Sequence, residues 1–205
     1  MGQMGYPHVY IGLVHYPVYN KRRETIVAAI TMINLHDLAR LAKTYELGGY
    51  FVINPLEDQH ELVKRFSNHW LKGYGGVYNP RRKEPLRLIH TVSSLDEAIK
   101  NIGSHWGKYP KLFGTTARVY KNALGYREAH ALISQKETPS LILFGTAWGL
   151  ADELINELDY VLKPIMGLGG YNHLSVRTAA AIVLDRILGG EDGSYSNDRK
   201  GKDEA

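Results

Sequence analysis

The stretch Val161-Leu-Lys-Pro-Ile-Met-Gly-Leu-Gly-Gly-Tyr-Asn-His-Leu-Ser-Val-Arg-Thr-Ala-Ala-Ala-Ile-Val-Leu-Asp-Arg-Ile-Leu188 begins as an apolar strand, passes through three glycines and continues as an alanine-rich amphipathic helix. Glycine lets the backbone approach a ligand closely, and a helix start directs unpaired N–H groups at whatever lies before it. A similar junction, Leu141-Ile-Leu-Phe-Gly-Thr-Ala-Trp-Gly-Leu150, precedes it. Two glycine-bearing turns that each follow an apolar strand indicate one ligand held mostly by backbone groups, as in a cofactor site.

The spacing of these glycines argues against two common nucleotide sites. The P-loop pattern is absent, and Gly167, Gly169 and Gly170 do not complete the G-x-G-x-x-G fingerprint of a dinucleotide site. That fingerprint would also normally open the fold rather than lie near its end. For either turn taken singly, a tight strand-to-helix connection without a ligand is an equal alternative.

The composition limits both the size of the fold and its chemistry. With 205 residues, of which 44% are hydrophobic, the chain has the size and core of one α/β domain. Cysteine is absent, which excludes disulfides, thiolate metal sites and a cysteine nucleophile, and the nine histidines show no metal-ligand spacing, so we expect no metal. No apolar run has the length of a membrane span and no signal segment precedes Tyr6, so we expect a cytoplasmic protein with no membrane partner.

The chain is mildly basic, with a formal net charge of +4 and much of its positive charge in clusters. These clusters are Lys21–Arg23, Arg81–Lys83 and the region from Lys108 to Lys121. Basic clusters in loops can contact nucleic acid phosphates, although they are also common on solvated surfaces. The charge alone therefore slightly favours a nucleic acid partner.

Apolar strands alternate with amphipathic helices along the chain, and continuously apolar strands are typical of a parallel sheet covered on both faces. The predicted strands are Val9–Val14, Tyr50–Ile53, Leu86–Val92, Lys111–Thr116, Ser140–Phe144 and Tyr160–Ile165. The predicted helices are Leu35–Tyr45 (ended by Gly48 and Gly49), Glu57–Leu71, one capped by Ser94, Tyr126–Ser134, Ala151–Leu158 and Leu174–Leu188. The segment Lys72–Pro85 is predicted as a loop. The sequence thus predicts an α/β domain over residues 1–190 with a mainly parallel six-stranded sheet, helices on both faces, and a disordered tail over residues 191–205.

Three segments occur in an order that is typical of a known family. The first contains Asn34-Leu-His-Asp-Leu-Ala-Arg40, with Asn six residues before Arg at a helix start; the second is Leu141–Leu150, and the third runs from Pro164 to Ala181. Lys111–Thr116 adds a strand with threonines before the second segment. Together they span most of residues 9–188 and resemble the SPOUT superfamily of RNA methyltransferases, especially its SpoU-like branch. The chain is most similar to a small bacterial subfamily that is sometimes fused to tRNA (guanine-N1) methyltransferase.

The resemblance implies a C-terminal trefoil knot whose turns bind S-adenosyl-L-methionine in a bent form. The cofactor-binding residues that it implies are Gly114, Thr115, Gly145, Thr146, Gly149, Ile165, Gly167 and Leu174. It also implies a homodimer acting on RNA, either tRNA or rRNA, in which Arg40 completes the site of the other subunit. Arg40 would bind phosphate and help to activate a ribose 2′-hydroxyl, with Asn34 as the second catalytic residue.

Several of these residues also have plain structural interpretations. A surface pair with Asp37 is the alternative for Arg40, and a helix cap with Asp37 at the third position is the alternative for Asn34. His36, His173 and Arg177 are secondary candidates, more typical of structural or substrate-positioning roles.

Two departures from the family pattern leave other functions open. The second motif has Thr146-Ala147-Trp148 where the family commonly has a Glu, and the third has His173-Leu174-Ser175 where Ser-Leu-Asn is frequent. One alternative is methylation of guanine N1 in tRNA, for which Asp152 is the nearest carboxylate unless it caps the following helix. The others are a knotted protein that binds cofactor or RNA without catalysis, and an α/β metabolic enzyme unrelated to RNA.

Overall fold

The computed structural model describes residues 5–169 and 171–189, which are organised around a parallel sheet. The strands are β1 (Tyr6–Val14), β2 (Val18–Tyr19), β3 (Thr25–Ile26), β4 (Leu47–Ile53), β5 (Ile89–Val92), β6 (Lys111–Gly114), β7 (Ser140–Gly145) and β8 (Tyr160–Val161). Strands β2 and β3 form a separate antiparallel hairpin, and the other six form a sheet in the order β5-β4-β1-β7-β6-β8. Every neighbouring pair in that sheet is parallel, which confirms the predicted six-stranded sheet.

Helices cover both faces of the sheet. They are α1 (Met32–Thr44), α2 (Glu57–Leu71), α3 (Tyr74–Tyr78), α4 (Lys83–Leu86), α5 (Leu95–Trp106), α6 (Tyr126–Ser134), α7 (Asp152–Asn156) and α8 (Val176–Leu188), with a 3₁₀ turn at Pro80–Arg82. One core joins the sheet to α1, α2, α4, α6 and α8, and the other joins it to α5 and α7. Ile11 and Leu13 point into the first core, whereas Tyr10 and Val14 point into the second. Because both faces are buried, the central strands need apolar residues at every position.

Two helices begin at side-chain caps. The Ser94 hydroxyl accepts a hydrogen bond from the Glu97 backbone N–H at 3.2 Å, which confirms the predicted cap of α5. Ser175 accepts one from the Thr178 N–H in the same way at the start of α8. Each bond satisfies a donor that the first turn of a helix leaves open. Among the described residues, no helix combines the length and apolar character that crossing a membrane requires.

Three sequence predictions of local structure are wrong. Gly48 and Gly49 lie inside β4 and do not end α1, which stops at Thr44; a Cβ on Gly48 would meet the ring of Tyr10. The segment predicted as a loop contains α3, the 3₁₀ turn and α4, so the following strand begins only at Ile89.

The third error is the length of β8, which has two residues because only Tyr160 and Val161 pair with β6. The predicted tail over residues 191–205 lies outside the described residues.

The carboxyl ends of the six parallel strands meet at one edge of the sheet, where α/β proteins usually bind ligands. The β2–β3 hairpin follows β1 at this edge. Its Tyr19 N–H donates to the Gly149 carbonyl, and the Trp148 N–H donates to the Tyr19 carbonyl, both at 2.9 Å. The hairpin is thereby attached to the connection that follows β7.

Candidate active site

The connection Gly145–Leu150, here called the β7 turn, is closed by its own backbone. The Gly149 N–H donates to the Thr146 carbonyl at 2.9 Å, and Gly149 has a φ of +91°, which favours glycine. A Cβ on Gly145 would lie 2.5 Å from the Leu150 nitrogen and 3.0 Å from the Gly149 Cα. Gly145 is therefore required by the turn itself, because a side chain there would strike the turn's backbone.

The two threonine candidates use their hydroxyl groups within the fold. Thr115 Oγ1 donates to the Leu143 carbonyl at 2.9 Å, and Thr146 Oγ1 donates to the Val14 carbonyl at 3.0 Å. These bonds tie the connections after β6 and β7 to the ends of neighbouring strands. Both residues thus hold the turns in place, and neither hydroxyl hydrogen remains for a ligand.

The remaining cofactor candidates lie on the connections after β6, β7 and β8, which the fold brings to the same edge. Gly114 is buried against Leu158, whereas Gly167 and Leu174 are exposed in the segment between β8 and α8 and Ile165 is half-buried there. The same connections carry exposed apolar side chains: Trp148, Met166 and Leu168. Backbone turns beside exposed apolar side chains fit a ligand with an aromatic base and an aliphatic chain.

Asp152 is the centre of an ion-pair cluster beside the β7 turn. Its carboxylate pairs with Arg23 at 2.9 Å and with Arg118, and accepts a hydrogen bond from the Tyr120 hydroxyl at 3.1 Å. Its backbone N–H donates to the Tyr19 hydroxyl at 3.1 Å. The predicted cap by Asp152 is wrong, because Ala151 is the N-cap of α7 and Asp152 already lies within the helix.

The cluster keeps Asp152 ionised. Burial alone would raise the pKa of this carboxyl, but the hydrogen bonds from Arg118 and Tyr120 outweigh burial and hold the pKa below its usual value. Arg118 also donates to the Leu150 carbonyl at 3.1 Å. The cluster therefore joins the β2–β3 hairpin, the connection after β6 and the β7 turn.

A second polar network joins α1 to α8. Arg177 Nη1 donates to Asn34 Oδ1 at 3.0 Å, and Arg177 Nε lies 3.2 Å from Asp37 Oδ2. Asn34 is buried and lies in the first turn of α1, whose N-cap is Thr31, so the alternative interpretation of Asn34 as the helix cap is wrong. Asp37 pairs with Arg177, and no pair between Asp37 and Arg40 is present in the described part of the chain.

Arg40 is exposed between two shallow cavities. One, of about 330 Å³, is lined by Met32, Ile33, His36, Asp37, Arg40 and Arg82. The other, of about 500 Å³, lies between α1 and α8 and is lined by Asp37, Arg40, Leu41, Thr44, Arg177, Thr178 and Ala181. Within residues 5–169 and 171–189, Arg40 forms no ion pair. None of the residues predicted to bind the cofactor lines either of these two cavities.

The histidine candidates have mainly structural surroundings. The ring of His36 packs edge-on against Phe66 and Trp70 with centroids 4.9 Å apart. Burial, together with the nearby charges of Arg82 and Arg40, lowers its pKa despite the opposing charge of Asp37. His36 is therefore neutral at pH 7. His173 is exposed and contacts Tyr171 edge-on.

Sequence reasoning missed the partners that organise these residues. Arg23 and Arg118 belonged to predicted basic clusters, but nothing in their spacing connects them to Asp152. Arg82 lies over the Trp70 ring at 4.9 Å and borders the same cavity as Arg40. The one sequence signal for these contacts was that the basic residues form clusters, each of which adjoins an aromatic residue.

The parallel sheet and the turns at the carboxyl ends of its strands define an α/β protein of the type that usually binds ligands at this edge. Over residues 8–189 the chain matches the family described as SAM-dependent RNA methyltransferase, and it belongs to that family. Members of this family depend on S-adenosylmethionine, and the match confirms the resemblance carried by the three motifs. The apolar and backbone surroundings of the three turns fit this cofactor.

Relatives with clear sequence identity differ in length. A tRNA (guanine-N(1)-)-methyltransferase of Oleidesulfovibrio alaskensis is 43% identical over 182 residues, which cover 89% of this chain and 42% of that protein. The chain thus spans less than half the length of this relative. An uncharacterised protein of Aquifex aeolicus is 41% identical, with 88% of each chain covered.

Solved structures with low identity share the fold. The SpoU methyltransferase AviRb of Streptomyces viridochromogenes has a TM-score of 0.55 and 16% identity, over 90% of this chain and 60% of that chain. A structure that describes 2-OH methylation of C/U34 on tRNA has a TM-score of 0.53 and 18% identity, over 88% of this chain and 95% of that chain. AviRb has also been solved in complex with AdoMet.

Proposed function

We propose that the chain methylates a ribose 2′-oxygen of tRNA as a homodimer with a knotted C-terminal segment. A tRNA substrate is supported by the name of the 43% identical relative, of which this chain spans 42%. The fold accommodates ribose chemistry, since a protein that carries out 2-OH methylation on tRNA has the same fold. The second candidate function is guanine-N1 methylation, which is supported by the name of the 43% identical relative.

The observation that carries the ribose assignment is the state of Asp152. Methylation at guanine N1 requires a base to remove the N1 proton. Asp152 is the acid nearest the β7 turn, yet its carboxylate is held by Arg23 and Arg118 with a lowered pKa, which makes it a weak base. Transfer to a ribose oxygen depends more on alignment and on stabilising the developing negative charge.

Arg40 is the residue to which we assign that charge stabilisation. A guanidinium remains protonated at physiological pH, so Arg40 acts by binding phosphate and favouring the ionised form of the 2′-hydroxyl. Arg177 forms an ion pair with Asp37 and thereby keeps this carboxylate from neutralising Arg40. Asn34 supports the arrangement by accepting the hydrogen bond that fixes Arg177.

The turns after β6, β7 and β8 are the proposed cofactor site. When bound, S-adenosylmethionine supplies a methyl group on a sulfonium that is already activated for transfer. The residues that would hold it through main-chain groups and apolar contacts are Gly114, Thr115, Gly145, Thr146, Gly149, Ile165, Gly167 and Leu174. Arg40 lines two cavities, and none of these eight residues lines either of them. We therefore assign Arg40 to the site of the second subunit.

The product distinguishes the two candidate reactions. Unmodified tRNA is incubated with the enzyme and labelled cofactor, and its nucleosides are identified by mass spectrometry. A 2′-O-methylnucleoside supports the proposal, and N1-methylguanosine would overturn it. Arg40→Ala is expected to abolish transfer while cofactor affinity stays near wild type. Lys100→Ala on α5 is the matched control, because it removes one exposed positive charge on the opposite face of the sheet.

Mixing two inactive variants tests the shared site. Arg40→Ala lacks the phosphate-binding group and Gly145→Val lacks a closed β7 turn. If each site takes its turns from one subunit and Arg40 from the other, random mixed dimers contain one intact site, and the mixture recovers about a quarter of wild-type activity. A mixture that stays inactive, although the subunits exchange, would place Arg40 and the turns in the same subunit.

A further inference from the structure

The segment Lys72–Arg87 carries an unusual share of the chain's charge. It contains five basic residues and one acidic residue, Glu84, so its net charge of +4 equals the formal net charge of all 205 residues. The rest of the chain is neutral as a whole. Lys72, Arg81, Arg82 and Arg87 are exposed. A local field of this kind attracts a polyanion.

The same segment presents aromatic rings to solvent. In α3, Gly75 and Gly76 are buried, and a Cβ on either would strike His69 or Trp70 of α2. This tight contact turns the other side of α3 outward, where Tyr74 is 75% and Tyr78 is 78% exposed. Their two rings stand nearly parallel, with centroids 6.4 Å apart. Large exposed aromatic groups of this kind mark interaction surfaces.

Arg82 connects this surface to the proposed catalytic arginine. Its guanidinium lies over the Trp70 ring at 4.9 Å, and its side chain lines the cavity that Arg40 and His36 also line. A strand of RNA whose phosphate reaches Arg40 would therefore pass Arg82 and continue over α3.

We propose that Tyr74, Tyr78, Arg81 and Arg82 form an RNA-reading surface that binds unpaired nucleotides beside the methylated one. This inference rests on the proposed function, in which tRNA is the substrate. The tyrosines stack on bases and the arginines bind phosphates, the combination used for single-stranded nucleic acid. A second copy of the chain fits this surface poorly. A twofold contact centred on this patch would set it against itself and bring like charges together.

The test compares the double variant Tyr74→Ala/Tyr78→Ala with Tyr109→Ala, using unmodified tRNA as the probe. Tyr109 is 69% exposed and precedes β6, which is separated from β5 by three strands of the sheet, and this makes Tyr109 a matched control. Base stacking contributes roughly 1–3 kcal/mol per base, so the KM for tRNA is expected to rise about tenfold or more in the double variant. The kcat and the cofactor affinity stay within about twofold, and Tyr74→Phe/Tyr78→Phe, which keeps the rings, restores the KM.

Ultraviolet crosslinking of wild type to tRNA without cofactor gives an independent readout, with crosslinks expected on Tyr74 or Tyr78. An unchanged KM in a double variant that melts like wild type would overturn the inference. So would dissociation of the dimer, because the surface would then bind a second copy. If wild type crosslinks tRNA at these tyrosines but produces no 2′-O-methylnucleoside, the proposed function fails and the RNA-reading surface stands.

Discussion

Replacing Arg177 by alanine separates the structural role of the α1–α8 network from its effect on Arg40. The substitution removes the 3.0 Å bond to the buried Asn34 amide and the 3.2 Å pair with Asp37. A hydrogen bond that involves a charged group contributes about 1.5–3 kcal/mol, and a partly exposed ion pair about 0–1 kcal/mol. We therefore expect the free energy of unfolding in urea to fall by about 2–3 kcal/mol.

The activity should fall by a smaller factor, for a different reason. Without Arg177, Asp37 can pair with Arg40, which lies three residues later on the same face of α1. Such helix pairs are worth about 0.5 kcal/mol at most, so Asp37 would engage Arg40 in roughly two-thirds of the molecules. The methyl-transfer rate is then expected to fall about threefold, while cofactor affinity stays unchanged.

A second substitution isolates the effect on Arg40. In Arg177→Ala/Asp37→Asn the competing carboxylate is gone, so transfer should return to the wild-type rate although the lost stability does not. High salt should partly restore the single variant, because it screens the new pair. If the double variant remains as slow as the single one, or if Arg177→Ala unfolds at the wild-type urea concentration, the reasoning about this network is wrong.

Three further predictions concern the β7 turn, the Asp152 cluster and the core. Gly145→Ala places a Cβ against the Leu150 nitrogen, so it should lower the unfolding free energy by about 1–3 kcal/mol and weaken cofactor binding in calorimetry. Gly169→Ala, whose Cβ meets nothing within 4 Å, is the control for stability and should leave the unfolding free energy unchanged. Asp152→Asn should loosen the contacts among the β2–β3 hairpin, the connection after β6 and the β7 turn, and so raise the cofactor Kd while kcat is retained. Glu153→Gln is the control. A lost kcat at an unchanged Kd would instead indicate that Asp152 is a catalytic base. Burial lowers the pKa of His15 to about 4. As the pH falls, His15 is therefore protonated in the unfolded chain before it is protonated in the folded one. The free energy of unfolding decreases as the pH falls from about 6.5 towards 4, by about 2 kcal/mol between pH 7.5 and 5. His15→Leu should remove that part of the slope in urea unfolding, and an unchanged slope would refute this origin.

The regular elements of the fold were predictable because each carries its own signal. Glu57–Leu71 and Tyr126–Ser134 were predicted with the bounds that the structure has, since their apolar residues recur at helical spacing. The β2–β3 hairpin was not predicted. Strands of two residues have no periodicity, and the hairpin is held by the β7 turn, which lies more than 100 residues away in sequence.

The site was predictable in its backbone more than in its side chains. Glycine and helix-start patterns located the turns, because these features depend on neighbouring residues. The alternative pair of Asp37 with Arg40, which helical spacing allows, is not formed among the described residues, because packing of α8 on α1 brings Arg177 to Asp37. Gly145 also has a structural role that the sequence analysis did not identify, because its missing side chain makes room for the backbone of the turn.

The hydrogen bonds and ion pairs separate residues that build the site from residues that are available to a substrate. Thr115, Thr146, Asn34 and Asp152 are polar residues in family motifs or close to them, yet each already has a partner within the fold. Arg40, by contrast, is exposed and forms no ion pair among the described residues, while Tyr74 and Tyr78 turn most of their surface to solvent. A polyanion with unpaired bases would satisfy both kinds of group at once, the charge through its phosphates and the rings through its bases. RNA thus offers binding partners both for the Arg40 guanidinium and for the exposed tyrosine rings, and this links the catalytic assignment of Arg40 to the surface on α3.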